Sequence, residues 1–242
     1  MIQTTDLKKA YNKTVVLDLP HLNIPKGEVF GLVGNNGAGK TTFFSLVLDL
    51  IRASKGHVLI NEIEVAKSEQ WKEITGAYID ESFTIGYLTP DEYFDFIGDL
   101  RGMNDNDANS FLDNFNDFFN DEVRGKKKFI RDLSKGNQKK VGVVGALMGK
   151  PELVVLDEPF ANLDPSSQFK LRKIIKEFAA EEGKTFLISS HNLDNITDVC
   201  QRIAVLEKGK IVKDVQKTET TLAELEEFFT GVKKEERFID EL

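Results

Sequence analysis

Gly34-Asn35-Asn36-Gly37-Ala38-Gly39-Lys40-Thr41, followed by Thr42, decides the reading of this chain. The run fits the spacing G-x-x-x-x-G-K-[ST], and each residue type in it has a physical reason. Glycines let the backbone curl until successive N–H groups face the same anion. A helix that starts beyond Gly39 adds the positive end of its dipole. Lys40 is then placed to reach the outer phosphates of a nucleoside triphosphate, and the Thr41 hydroxyl to bind Mg²⁺. The bare spacing also occurs in Gly-rich turns that hold nothing, so its context decides. Glu28-Val29-Phe30-Gly31-Leu32-Val33 reads as a strand ending at Gly34, and a helical pattern runs from residue 41 to about residue 51. Strand before and helix after is the setting a phosphate loop requires. ATP with Mg²⁺ is the ligand this stretch predicts.

Two further apolar runs resemble the strand before the loop. Leu153-Val154-Val155-Leu156 leads without alternation into Asp157-Glu158, and Thr185-Phe186-Leu187-Ile188-Ser189 leads into Ser190-His191. Strands apolar on both faces belong in a parallel sheet covered by helices. The polar residues at their C-terminal ends then meet on one edge, where open α/β sheets bind ligands. An acidic strand end by itself means only that the chain has reached solvent. Beside a phosphate loop the two carboxylates take separate roles. Asp157 is the expected Mg²⁺ ligand, through water, because magnesium keeps much of its hydration shell. Glu158 is placed to orient or deprotonate an attacking water. Residues up to about 24, with Val15-Val16-Leu17 and Leu22-Asn23-Ile24 as short pieces, look antiparallel, as does Val58-Leu59-Ile60. Residues 88–145 look helical, with Phe111, Phe115, Phe118 and Phe119 on one helical face. Burial in that region's own core is the favoured reading of this stripe; docking of a partner helix is the alternative.

A length of 242 residues supports one substantial core. The net charge of −8 argues against nucleic acid as a partner, because phosphate binding needs clustered Lys and Arg. Positions 91–122 hold ten acids and one base, Arg101, a face that repels anionic lipid as well. A protein partner is expected instead. No apolar run approaches the roughly 20 residues that cross a bilayer, and the N-terminus has no signal-peptide pattern. Cys200 is the only cysteine, which excludes an internal disulfide and fits a reducing cytoplasm. His21 and His57 have no neighbours of metal-ligand type, so a structural zinc site is not expected.

Leu133-Ser134-Lys135-Gly136-Asn137-Gln138, placed ahead of the acidic strand end, resembles the L-S-G-G-Q signature of ABC transporter nucleotide-binding subunits. The resemblance covers residues 7 to about 212. It retains Leu133, Ser134 and Gly136 and departs at Lys135 and Asn137. It implies an α/β fold: a P-loop NTPase core with a parallel sheet, an N-terminal antiparallel β subdomain and an inserted α-helical subdomain. The chain would be a single ABC ATPase domain, with about 1–87 and 146–212 as core, about 88–145 as the helical signature part, and 213–242 as a C-terminal helical tail carrying Lys233-Lys234 and Glu235-Glu236. The resemblance further implies that Ser134, Gly136 and Asn137 meet a γ-phosphate, that Tyr11 stacks on adenine, and that His191 acts with Lys40 and Glu158 in catalysis. Asn162-Leu163-Asp164 resembles the loop that touches the opposite subunit. Glu81 stands where the family commonly has Gln, which makes it a Mg²⁺ ligand beside Thr41 and Asp157 but adds negative charge there.

In that family the signature binds ATP held by another subunit's phosphate loop, so a homodimer, or a heterodimer, is implied. A separate integral membrane transport subunit is implied too, with this chain at the inner face of the cell membrane. The acidic helical region and the loop around Glu81 are the expected contact surface. Glu81 and Tyr87-Leu88-Thr89-Pro90-Asp91-Glu92 resemble export-type members. The alternatives are a soluble non-transport ABC ATPase, an ATP-binding subunit with little hydrolysis, and a small-molecule kinase. The first commonly carries a second ATPase unit or a long coiled-coil insertion, and neither stands in this sequence; the last leaves the signature and His191 unexplained.

Overall fold

The strands that read as apolar on both faces are buried on both faces. The structure, a computed structural model, describes residues 1–231. Its strands are β1 (Ile2–Tyr11), β2 (Thr14–Ile24), β3 (Val29–Val33), β4 (Lys55–Ile60), β5 (Ile63–Glu64), β6 (Thr75–Tyr78), β7 (Leu153–Leu156), β8 (Thr185–Ser190), β9 (Arg202–Glu207) and β10 (Lys210–Gln216). Its α-helices are α1 (Lys40–Val47), α2 (Pro90–Leu100), α3 (Asp105–Asp113), α4 (Asn116–Phe119), α5 (Lys135–Leu147), α6 (Pro165–Ala179), α7 (Leu193–Val199) and α8 (Thr221–Thr230). A six-stranded sheet runs in the order β10-β9-β3-β8-β7-β6, all parallel except β10 against β9. A four-stranded antiparallel sheet, β2-β1-β4-β5, holds the N-terminal region.

Alternate residues of the parallel strands enter two different cores. Val154 and Leu156 join Phe186, Ile188 and the helical region on one face; Leu153, Val155 and Leu187 join Phe30, Phe43 and the antiparallel sheet on the other. The register brings Val33 opposite Ser190, Leu156 opposite Ile188 and Tyr78 opposite Leu156. The chain therefore leaves β3, β6, β7 and β8 on one edge, through Gly34, Asp80-Glu81, Asp157 and His191 respectively. Among the described residues no helix is long and apolar enough to cross a membrane.

The phenylalanine stripe is core. Phe111, Phe115, Phe118 and Phe119 are all buried. Phe111 and Phe115 also pack on Phe178 of α6, each pair of ring centroids 6.1 Å apart. The stripe bridges two short helices and fastens them to the body of the molecule, which leaves it no face for a partner.

Several boundaries differ from the sequence reading. Helix α1 stops at Val47 rather than near residue 51, because Asp49 turns left-handed (φ 50°) and the Leu50 amide bonds back to the Ser45 carbonyl. The two β-like pieces before residue 24 are one strand, β2. Residues 213–216, expected as helical tail, continue β10, and the helix begins only at Thr221. Lys233-Lys234 and Glu235-Glu236 lie outside the described residues.

Helix α5 lies directly on β6. A Cβ on Gly76 would stand 1.9 Å from the Ala146 carbonyl oxygen, and one on Gly142 would stand 2.1 Å from the Tyr78 ring. Gly76→Ala is therefore expected to lower stability by about 1–3 kcal/mol, the usual cost of overpacking. A denaturation midpoint equal to that of the parent protein would contradict this packing.

Candidate nucleotide site

The phosphate loop sits where β3 gives way to α1, and its glycines are needed for two different reasons. Gly37 and Gly39 have φ of 81° and 111°, the left-handed region that side chains disfavour. Gly34 has an ordinary φ but no room: a Cβ there would meet the Leu206 carbonyl oxygen at 2.4 Å. Residues 37–42, with Asn36, Val16 and Glu158, line one cavity; Asn35 faces a neighbouring cavity and accepts the Ala38 N–H at 3.0 Å. Lys40 is buried, donates to the Gly34 carbonyl at 2.7 Å, and stands 3.3 Å from Glu158 Oε1.

Asp157 and Glu158 face that loop from the end of β7. Asp157 is buried and accepts hydrogen bonds from the Thr41 hydroxyl at 2.5 Å and from the Ser189 hydroxyl. Burial pushes its carboxyl above the ordinary range, and the two hydroxyls oppose that shift. Glu158 has φ of 47°. Its amide donates to Ser189 Oγ at 2.9 Å, and its Oε2 stands 2.8 Å from His191 Nδ1 and accepts the His191 N–H at 3.3 Å. Oε1 is buried without a hydrogen-bond partner; the Lys40 contact at 3.3 Å is a charge contact whose geometry is not that of a hydrogen bond. Lys40, Glu158 and His191 are thus brought together around one carboxylate.

Thr41 and Asp157 present hard oxygens side by side, a donor set that suits Mg²⁺ held jointly with substrate phosphates. Among the described residues no group of three or more His, Cys, Asp or Glu could hold a metal alone. A cation that keeps water and phosphate ligands needs no such group.

The signature residues lie elsewhere. Ser134 caps α5, its Oγ accepting the Asn137 N–H at 3.3 Å. Ser134 and Asn137 line a cavity shared with Lys126, Lys127 and Lys128, not the cavity of the phosphate loop. Gly136 lies close under the next loop, where a Cβ would meet the Asn162 carbonyl oxygen at 2.8 Å. Asp164 caps α6; the Ser167 hydroxyl and amide hold its carboxyl well below the usual range. Glu81 pairs with Lys135 at 3.0 Å. Its carboxyl is held low, first by a hydrogen bond from its own main chain and then by Lys135. Tyr11 ends β1, half exposed, with the Lys9 ammonium 4.7 Å from its ring centroid, and is not among the residues lining the phosphate-loop cavity.

Three features escaped the sequence reading. Ser189, which bonds both Asp157 and the Glu158 amide, reads in sequence only as the end of an apolar strand. Lys139, which donates to the Glu158 carbonyl at 2.7 Å, carries no signal beyond its place four residues after Lys135. The run Lys126-Lys127-Lys128 carries no sequence signal that makes it a neighbour of Ser134.

The sequence model of the ABC transporter family matches residues 17–161, more than half of the chain. The chain belongs to the ABC transporter family. An uncharacterized ABC transporter ATP-binding protein of Methanocaldococcus jannaschii is 36% identical over 213 residues, which are 87% of this chain and 76% of that protein. Another, of Synechocystis, is 33% identical over 88% of this chain, which spans only 62% of that relative's length. A lantibiotic transport ATP-binding protein of Streptococcus pyogenes is 31% identical over 96% of both chains. Among solved structures, an ATP-binding subunit of an ABC transporter superposes with a TM-score of 0.80 at 25% identity, covering 97% of this chain and 95% of that one. A dimeric ATP-binding cassette with bound ADP and Pi superposes with a TM-score of 0.79 at 23% identity, over 90% and 99% of the two chains, and shares the fold. This ABC subunit is accordingly an ATP-binding and ATP-hydrolysing one, of the kind that drives transport.

Lys40→Ala in this ABC ATPase is expected to abolish the ATP-dependent rise in melting temperature, since it removes the ammonium buried at the base of the loop. An unchanged thermal shift would place the nucleotide elsewhere.

Proposed function

We propose that this ABC subunit hydrolyses ATP between two copies of itself and passes the resulting motion to a separate integral membrane subunit. The observation that carries the reading is a division within one chain. Lys40 and Glu158 line the phosphate-loop cavity and His191 contacts the Glu158 carboxylate, whereas Ser134 and Asn137 face another cavity. One chain therefore offers two half-sites, and a head-to-tail pair completes two sites; a heterodimer with a similar chain would serve equally. The dimeric cassette that shares this fold supports such an arrangement.

ATP would lie with its phosphates in the loop of residues 34–42, and the Lys40 ammonium would move from Glu158 to the outer phosphates. That move frees Glu158 Oε1 to accept a proton from water as the water oxygen attacks the γ-phosphorus and ADP leaves. His191 holds Oε2 and orients the same water. Thr41 and Asp157, with Glu81 nearby in sequence to the end of β6, are the residues that would hold Mg²⁺, which neutralises charge on the phosphates. Tyr11 is proposed to stack on adenine. Ser134, Gly136 and Asn137 would meet the γ-phosphate held by the partner copy, so binding closes the pair and hydrolysis releases it.

The motor is proposed as one ABC ATPase domain, with residues 88–145 as the signature part. Their acidic surface and the loop at Glu81 would contact the membrane subunit at the cytoplasmic face. Export is the proposed direction, supported by the resemblance of Glu81 and Tyr87-Leu88-Thr89-Pro90-Asp91-Glu92 to export-type members.

Glu158→Gln is expected to bind ATP, lose turnover and accumulate as an ATP-bound dimer. Phosphate release and light scattering read both properties, and parental turnover in this variant would refute the catalytic role.

A further inference from the structure

We propose that Lys139 is a positioning residue for hydrolysis, tying the catalytic Glu158 of one ATP site to the signature helix that serves the other. The inference rests on Glu158 being the catalytic carboxylate. It starts from the backbone of that residue. A left-handed φ at a residue with a side chain persists only where the surroundings over-determine it. Two groups do so here: Ser189 Oγ takes the Glu158 N–H at 2.9 Å, and the Lys139 ammonium donates to the Glu158 carbonyl at 2.7 Å. With both ends of the residue fixed, its carboxylate is delivered to Lys40 and His191.

Lys139 is an unusual group to find in that role. It is buried beneath α5, its ammonium 5.7 Å from the centre of the Tyr78 ring, and burial lowers its proton affinity against the pull of Glu81, Glu158, Asp157 and Asp80. A buried ammonium is costly unless its hydrogen bonds are specific, and its acceptor is the main chain of the catalytic residue.

The helix that carries Lys139 is fastened along one face. Lys135, Lys139 and Gly142, at i, i+4 and i+7, meet Glu81, the Glu158 carbonyl and the Tyr78 ring in turn. Ser134 caps the same helix. A displacement of α5 when Ser134 engages the partner's nucleotide is thereby felt at Glu158, which faces the chain's own nucleotide. Lys139 is the direct bond in that linkage.

The test is steady-state ATP hydrolysis, ATP-induced thermal shift and melting temperature for Lys139→Met, Lys139→Arg and Glu158→Gln, with Lys139→Leu in place of Met if the latter does not fold. Misplacing a reacting group by a fraction of an ångström to an ångström is expected to lower kcat about tenfold or more in Lys139→Met. ATP half-saturation and the thermal shift should stay within about twofold, the pattern of a lost transition-state contribution. Lys139→Arg, which keeps a donor, should recover most of kcat. Lys139→Met added to Glu158→Gln should cost nothing further. If Glu158→Gln loses turnover but Lys139→Met keeps it, or if melting temperature and ATP binding fall together with kcat, the positioning role is wrong while the catalytic assignment stands. If Glu158→Gln keeps turnover, the catalytic assignment fails and this inference with it.

Discussion

The molecule depends on one constraint: three parallel strands buried on both faces, β3, β7 and β8, must end at the same edge as β6. That requirement follows from apolar runs which leave no side of the strand for water. It sets β3 beside β8, β8 beside β7 and β7 beside β6. The residues that follow these strands then become neighbours although they stand up to 157 positions apart, from Gly34 to His191. Nothing about the phosphate loop, the paired carboxylates or the histidine would matter if the register moved.

Within that edge, Glu158 is the point where the contacts meet. Lys40 touches its carboxylate from the phosphate loop, His191 from the turn after β8, Ser189 bonds its amide and Lys139 its carbonyl. Lys40 stands 3.3 Å from a carboxylate that, in the proposed reaction, a triphosphate would compete with for the same ammonium. The Lys135–Glu81 pair belongs to the same economy of charge. Two of the three positions at which the chain departs from the usual signature and strand-end residues, Lys135 and Glu81, meet each other at 3.0 Å, so the added negative charge of Glu81 is answered by the added positive charge of Lys135. Exposed pairs of this kind contribute little to stability, about 0–1 kcal/mol; their effect here is on local charge.

Much of this was legible in the sequence because it rests on short-range rules. Residues 34–41 carry their geometry in their spelling, and unalternating runs such as Leu153–Leu156 announce parallel strands. The phenylalanine stripe was read correctly as core, although it spans two helices and a junction rather than one. What the sequence left dark depends on long-range packing. Asp49 ends α1 early through a backbone conformation that no propensity signals, and residues 213–216 extend a strand because β9 is there to pair with. Ser189 and Lys139 look like any strand-end serine and any helix lysine until the sheet and α5 carry them to Glu158. Tyr11, proposed by family position, lies apart from the loop cavity, and its role depends on the ligand rather than on the protein's own contacts.

The central claim is that the nucleotide completes a site built from two copies, and mixing complementary variants tests it most directly. Lys40→Ala removes the loop half and Ser134→Arg the signature half, so each alone should be nearly inactive. Mixed in equal amounts they should regain about a quarter of the parental ATPase rate, because half of a random set of two-fold pairs is mixed and each mixed pair holds one intact site. A mixture no more active than the sum of its parts, with both variants folded, would contradict the account.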